Sequence, residues 1–301
     1  MSLRIVAAGG LRPPEARCGV GLRARKEGAR GGTMGSPALT GEGRELVPRC
    51  LTIAGSDSGG GAGVQADLKA FAAAGCYGMS AIVALTAQNT IGVKAVQEAT
   101  PELIRAQLEA VFTDLGVDAA KTGMLFSRES VETVAGFLEQ HRVPLVVDPV
   151  MLASSGARLL QDDAVETLVS RLFPLATVVT PNLQEAEALA GMSASRRDLA
   201  ERIHELGAAA VIVTGGHGAD PIDHLFDGER HIEIPVVRYA VPATHGAGCT
   251  HSATLAAALA KGLSLDTAAR EAARAASDAV RQGLVELGAG EGPVDVLGLT
   301  A

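Results

Sequence analysis

Tryptophan is missing from the 301-residue chain, and two tyrosines and six phenylalanines bring the aromatic share to only 3%. With so few rings to stack on bases, and 34 acidic against 26 basic side chains for a formal charge of −8, non-specific nucleic-acid binding is excluded as a main function. Cysteine is scarce too. Cys18, Cys50, Cys76 and Cys249 stand far apart with no C-x-x-C spacing, which argues against a zinc site and a secreted disulfide framework and for a reducing cytoplasm. No apolar run reaches the roughly 18–20 residues of a membrane helix; even the Ala-rich stretch 253–260 stops at Lys261. The expected partner is a small molecule, not a membrane or a nucleic acid.

What the chain has in quantity is glycine, 36 residues without a Gly-X-Y period, in a composition that is 47% hydrophobic. Such a chain buries a substantial core, and its glycines serve local backbone needs. Residues 1–48 stand apart. Arg4, Arg12, Arg17, Arg23, Arg25, Lys26 and Arg30 are scattered among Gly and Pro, opposed by Glu15 and Glu27, with no apolar periodicity. The segment reads either as an Arg-rich targeting peptide or as an upstream extension, Met34 being a plausible start. Few serines and the Pro13-Pro14 pair favour the extension, which is expected to be disordered.

From residue 49 to 301 a single domain is expected. Strand-length apolar runs recur at Cys50–Ala54, Ser80–Leu85, Pro144–Asp148, Ala176–Thr180 and Ala210–Thr214. Helix-period segments at 63–74, 101–115, 128–140, 162–172, 182–190 and 197–206 separate them. Continuous apolar strands joined by helical crossovers predict a mostly parallel sheet covered on both faces, an α/β class. Asp227-Gly228 predicts a hairpin within 222–237, and 247–261 and 264–287 read as two closing helices. Ligands in such folds collect beyond the carboxyl ends of the strands.

Four motifs sit there. Ala54-Gly-Ser-Asp-Ser-Gly-Gly-Gly-Ala-Gly63 follows the first strand and is expected to aim backbone N–H groups at a ligand; it matches neither the dinucleotide fingerprint nor the P-loop. On the next helix Asp67 lies on the same side as the stripe Val64, Leu68, Phe71 and Ala72. It is either a paired structural carboxylate or an acceptor for a substrate hydroxyl or amine. Ala243-Thr-His-Gly-Ala-Gly-Cys-Thr-His-Ser252 runs into a helix, so the amides of Gly246, Ala247, Gly248 and Cys249 are expected to form an anion hole. At that position Cys249 is either a small buried hydrophobe or an exposed thiol of lowered pKa. Asn182 and Glu185, three apart at a helix start, form either a capping box or a carboxylate site for hydrated magnesium. The Thr214–Gly216 turn either admits a nucleotide or reverses the chain.

Together these segments resemble the ribokinase-like superfamily, and within it the hydroxymethylpyrimidine/phosphomethylpyrimidine kinases of thiamine biosynthesis. The marks are Thr52–Lys69, Ala87-Gln-Asn-Thr90, Lys121-Thr-Gly-Met-Leu125, Asp148-Pro-Val-Met151, Thr180-Pro-Asn182 with Glu185, and His245-Gly-Ala-Gly-Cys249. The resemblance implies a three-layer αβα fold, a homodimer, and phosphorylation of 4-amino-5-hydroxymethyl-2-methylpyrimidine and of its monophosphate with ATP and Mg2+. It also implies that Asp67 and Gln88 bond the pyrimidine while Gly55, Ala62, Met124 and Val150 line its pocket. Asn182, Glu185, Thr214 and Gly216 would serve ATP and the metal, Glu185 reaching magnesium directly or through water, and Gly246–Cys249 would form the anion hole. Three positions depart from the pattern: Ala247 where Thr is common, Thr214 where Lys often precedes the Gly-Gly, and Asp295 where Asn is frequent. A pyridoxal kinase is the nearest alternative, followed by a non-catalytic ligand-binding relative; a nicotinamide-dependent oxidoreductase ranks last.

Overall fold

A computed structural model describes residues 47–151, 156, 159–216, 218 and 220–300. The extension expected over 1–48 lies, as far as residue 46, outside the described residues.

Runs of β-branched residues form the middle of the sheet. Leu145–Val147, Val178–Val179 and Val211–Val213 are buried at every position, as strands covered on both faces require. In full the strands are β1 (Arg49–Asp57), β2 (Tyr77–Asn89), β3 (Gly92–Glu98), β4 (Ala119–Thr122), β5 (Leu145–Val147), β6 (Val178–Val179), β7 (Val211–Val213), β8 (Ile222–Phe226) and β9 (His231–Pro235). They lie in the order β3-β2-β1-β4-β5-β6-β7-β8-β9. The six from β2 to β7 are parallel; β3 pairs antiparallel at one edge, and at the other β8 pairs antiparallel with β7 and with β9.

Helices α1 (Gly63–Ala73), α7 (Ala247–Ala260) and α8 (Leu265–Arg281) cover one face. The other carries α2 (Pro101–Ala110), α3 (Arg128–Leu138), α4 (Asp162–Thr167), α5 (Leu183–Ala190) and α6 (Arg196–Glu205). The expected three-layer αβα architecture is therefore present. Helix starts follow local chemistry: Thr100, Ser127, Ser195 and Ser264 each accept a first-turn N–H with the side chain, a cap worth about 1 kcal/mol. Helix α7 is buried from Thr250 through Ala258 because it is wedged between the sheet, α1 and α8. Its small residues, and the Ala268, Ala269, Ala272 and Ala273 stripe of α8, let the two helices approach closely.

Three expectations need correction. Strand β1 continues through Gly55-Ser-Asp57, past the residue where a loop was expected, with a bulge between Ala54 and Gly55. The polar edge strand β3 and the four-residue β4 gave no apolar run to read. Ala72, placed on the apolar stripe of α1, is exposed, and Ala66 and Ala70 take its place inside.

Candidate active site

Thr52 of β1 and Lys121 of β4 are register partners on adjacent strands, so their side chains share the sheet face that packs against α1. There they meet Asp67. Lys121 Nζ lies 2.9 and 3.0 Å from the two Asp67 oxygens, and Thr52 Oγ1 donates to Asp67 Oδ2 at 2.6 Å. Lys121 and Asp67 are both 0% exposed. Asp148, just past β5, stands 3.7 Å from Lys121 Nζ and accepts a hydrogen bond from Ser252 of α7 at 2.8 Å. Burial works against the charge on Lys121, but Asp67 and Asp148 outweigh it and hold its pKa above the ordinary lysine value. The Asp67 oxygens are taken by Lys121 and Thr52 and have no exposed surface, the arrangement of a paired structural carboxylate, one of the two readings its sequence position allowed.

The glycine-rich loop after β1 turns inward upon itself. The Asp57 carboxylate accepts from the amides of Gly59, Gly61 and Ala62 at 2.8, 3.0 and 2.9 Å and sits 3.2 Å from His245 Nε2. Burial raises the Asp57 pKa, yet His245 and the amides of Ala62 and Gly59 bring it below the usual carboxylate value. The loop amides expected to face a ligand are thus bound to a carboxylate of the same loop. Gly55, one turn earlier, donates its N–H to Met124 O at 3.1 Å, and a Cβ on it would lie 2.4 Å from Met124 Cε. Gly55 and Met124 are therefore in direct contact. Ala62, Val150 and Gln88 are half-buried, and the Gln88 backbone is held by Ser58 Oγ in both directions at 2.7 and 2.8 Å.

At the start of α7 Gly246 has φ +86°, and a Cβ there would fall 1.9 Å from Gly61 O. Only glycine lets the two loops meet so closely. Ala247 N–H closes the turn on Thr244 O at 3.0 Å, so it leaves the expected anion hole. The N–H groups of Gly246, Gly248 and Cys249 have no protein acceptor among the described residues, and they lie at the positive end of a 14-residue helix. Cys249 is half-buried. Its thiol is pushed up to about 12, chiefly by burial; Lys121 is the next influence and lowers it, Asp67 and Asp148 raise it, and the Gly63 amide lowers it slightly. The expected exposed thiol of lowered pKa is corrected accordingly: desolvation outweighs the helix terminus, and Cys249 is a neutral thiol.

Asn182 and Glu185 form a complete capping box on α5. Asn182 Oδ1 accepts from Glu185 N, and Glu185 Oε2 from Asn182 N, both at 2.9 Å. Glu185 Oε1 also accepts from Met151 N at 3.4 Å. Burial first, and then the nearby Asp148 carboxylate, push the Glu185 carboxyl up to about 8. Thr214 N–H donates to Pro181 O at 2.9 Å, which brings the Thr214–Gly216 turn beside the α5 cap. Asp295 is buried at 3% exposure and accepts from Leu297 N and Thr300 N, both at 3.2 Å, holding the chain's C-terminal turn.

The phosphomethylpyrimidine kinase family profile matches residues 57–295. The chain belongs to that family. It is accordingly a kinase, and its relatives agree. A hydroxymethylpyrimidine/phosphomethylpyrimidine kinase of Rhizobium meliloti is 49% identical over 254 residues, covering 81% of this chain and 95% of that protein. One from Bacillus subtilis is 45% identical, covering 83% and 94%. Among solved structures, a phosphomethylpyrimidine kinase from Clostridium difficile superposes with TM-score 0.69 at 40% identity, covering 77% of this chain and 99% of that one. An ADP complex of Bacillus subtilis pyridoxal kinase reaches 0.76 at 37% identity, covering 83% and 97%.

Within this kinase, sequence reasoning assigned no role to Lys121, Asp57, Asp148, His245 or Ser252, although all five fall inside the quoted motifs. A signal for Lys121 was present. A lysine flanked by Ala119, Ala120 and Thr122 between two apolar crossovers has no solvent to reach, and a buried cation calls for a buried carboxylate.

Proposed function

We propose that this kinase transfers the γ-phosphoryl group of ATP to the hydroxymethyl oxygen of 4-amino-5-hydroxymethyl-2-methylpyrimidine, and then a second phosphoryl group to the resulting monophosphate. The observation that carries the reading is the start of α7. There the Gly246, Gly248 and Cys249 amides lie without protein acceptors among the described residues at a helix N-terminus, and Gly246 packs against Gly61 O of the loop after β1. Those amides would stabilise charge on the transferring group, the largest single contribution in this chemistry. With a thiol near 12, Cys249 orients the attacking hydroxyl and does not act as a preformed thiolate. A loose phosphoryl-transfer transition state asks little of a base. Gln88, Ala62 and Val150 would hold the ring.

The residues present fit magnesium. Glu185, raised to about 8 with the Asp148 carboxylate as a cause, offers a carboxylate whose negative charge a divalent cation would stabilise, while Asp148 is shared with Lys121. No group of three or more ligating side chains occurs among the described residues, so waters and nucleotide phosphates would complete the shell, as magnesium favours. When bound, the ion would neutralise charge developing on the phosphates. Asn182, Thr214 and Gly216 would border the nucleotide. The same reading carries a homodimer in the cytoplasm.

Mass spectrometry of the pyrimidine alcohol incubated with enzyme, ATP and Mg2+ tests the proposal. Successive gains of one and two phosphoryl groups support it, and an unmodified alcohol overturns it. The likeness to a pyridoxal kinase structure favours a second activity on pyridoxal, which parallel incubations resolve.

A further inference from the structure

Three residues beyond β9, Arg238 reaches across to the loop between β7 and β8. Its Nε donates to Gly215 O at 2.9 Å, its Nη1 to Gly218 O at 2.6 Å and its Nη2 to Asp220 O at 3.0 Å and also to Gly215 O. One planar fork thus gathers three carbonyls of a six-residue stretch, a geometry that a lysine cannot reproduce. The loop is pinned from beneath as well. Asp223, 2% exposed, accepts the Gly215 N–H at 2.5 Å and holds His251 of α7 at 3.0 Å. A Cβ on Gly215 would lie 2.5 Å from the Ile222 backbone, so the turn has no room to drift.

This clamp has a directional consequence. In a trans peptide the N–H of the next residue points opposite to the carbonyl. With Gly215 O turned to the guanidinium, the Gly216 N–H faces the other way. Gly216 is exposed, and a Cβ there would meet nothing within 4 Å. The Thr214 N–H bond to Pro181 O sets the start of this turn beside the α5 cap.

We propose that Arg238 is a positioning residue for the nucleotide: by holding the Gly215, Gly218 and Asp220 carbonyls it fixes the Thr214–Gly216 turn so that the Gly216 N–H is presented to ATP, without itself touching the pyrimidine. The inference rests on the assignment of that loop to ATP under the proposed function. Arg238 is exposed and outside the apolar core, so its variants fold.

The test compares Mg-ATP binding by calorimetry, and KM for ATP and for the pyrimidine alcohol, in wild type, Arg238→Ala and Arg238→Lys. The expected result is a rise of about ten-fold in ATP Kd and KM for both variants. The pyrimidine KM and the thermal midpoint stay near wild type, and millimolar guanidinium restores Arg238→Ala but does not improve Arg238→Lys. Wild type that binds Mg-ATP alongside an equally competent Arg238→Ala overturns the role of Arg238 alone. So does a parallel rise of both KM values with a fall in thermal midpoint, which marks a merely structural residue. Wild type that binds no Mg-ATP overturns the nucleotide assignment itself, and this inference with it.

Discussion

Replacing Lys121 by methionine strands two carboxylates, because Asp67 lies 2.9 Å and Asp148 3.7 Å from its ammonium. Asp67 has no exposed surface, so water cannot take over from the lost cation. Removing one partner of a buried pair costs about 3–5 kcal/mol, a large part of the roughly 5–15 kcal/mol that holds a domain together. Asp67→Asn is milder. Lys121 keeps Asp148 as counter-charge, and the carboxamide oxygen still accepts from Thr52, so about 1–3 kcal/mol is expected. The double variant, with neither charge of the pair, should be more stable than Lys121→Met alone. Urea unfolding at pH 7 measures all three through midpoint and slope. A loss below about 1 kcal/mol for Lys121→Met, or a double variant less stable than Lys121→Met, would refute the account. The same Asp67→Asn protein should keep a pyrimidine KM near wild type, since its carboxylate has no surface toward the cleft.

Three further outcomes follow from the site. Glu185, raised from 4.5 to about 8, keeps in the folded state a proton that the unfolded chain releases, so stability should fall as pH rises from about 4.5 to 8, by on the order of 5 kcal/mol at most. Glu185→Gln should flatten that slope in chemical denaturation at pH 5 and pH 8, and millimolar Mg2+ should raise the thermal midpoint at pH 7.5 in wild type but not in the variant. With its thiol near 12, Cys249 is about one part in ten thousand thiolate at pH 8, so iodoacetamide should label its peptide about a thousand-fold more slowly than an unperturbed thiol; equal rates would contradict the neutral-thiol reading. Gly246→Ala forces a Cβ to within 1.9 Å of Gly61 O at φ +86°, and should cost about 2 kcal/mol of stability and at least a hundred-fold in kcat.

Much of the fold was legible because periodicity reports burial. The runs ending at Ala54, Asp148, Thr180 and Thr214 all became central parallel strands, and caps at Ser127, Asn182 and Ser195 start helices within a residue of expectation. What escaped notice lacked that signal. Strand β3 alternates too weakly, with no buried residue. Strand β4 is four residues long and carries Lys121, whose charge reads as surface until its partners are known.

The candidate site divides along a similar line. Sequence pattern locates the residues that must converge, because strand ends and helix starts are set by local rules: Gly55 meets Met124, Thr214 meets the α5 cap, and Gly246 meets the loop after β1. Pattern does not report what each polar group already bonds. Asp67 was read as a carboxylate on an inward face, which is correct, yet its function depends on a lysine 54 positions away. Cys249 was read from its helix terminus, a contribution of a fraction of a kcal/mol to about 2 kcal/mol. Desolvation of a thiolate beside two carboxylates is larger and of opposite sign, and nothing within a few residues of Cys249 announces it. Electrostatic roles in a buried site are therefore properties of the assembled cluster. In this chain one cation, Lys121, serves two carboxylates and sits near a thiol, so changing any one of the four groups shifts the charge balance of the other three.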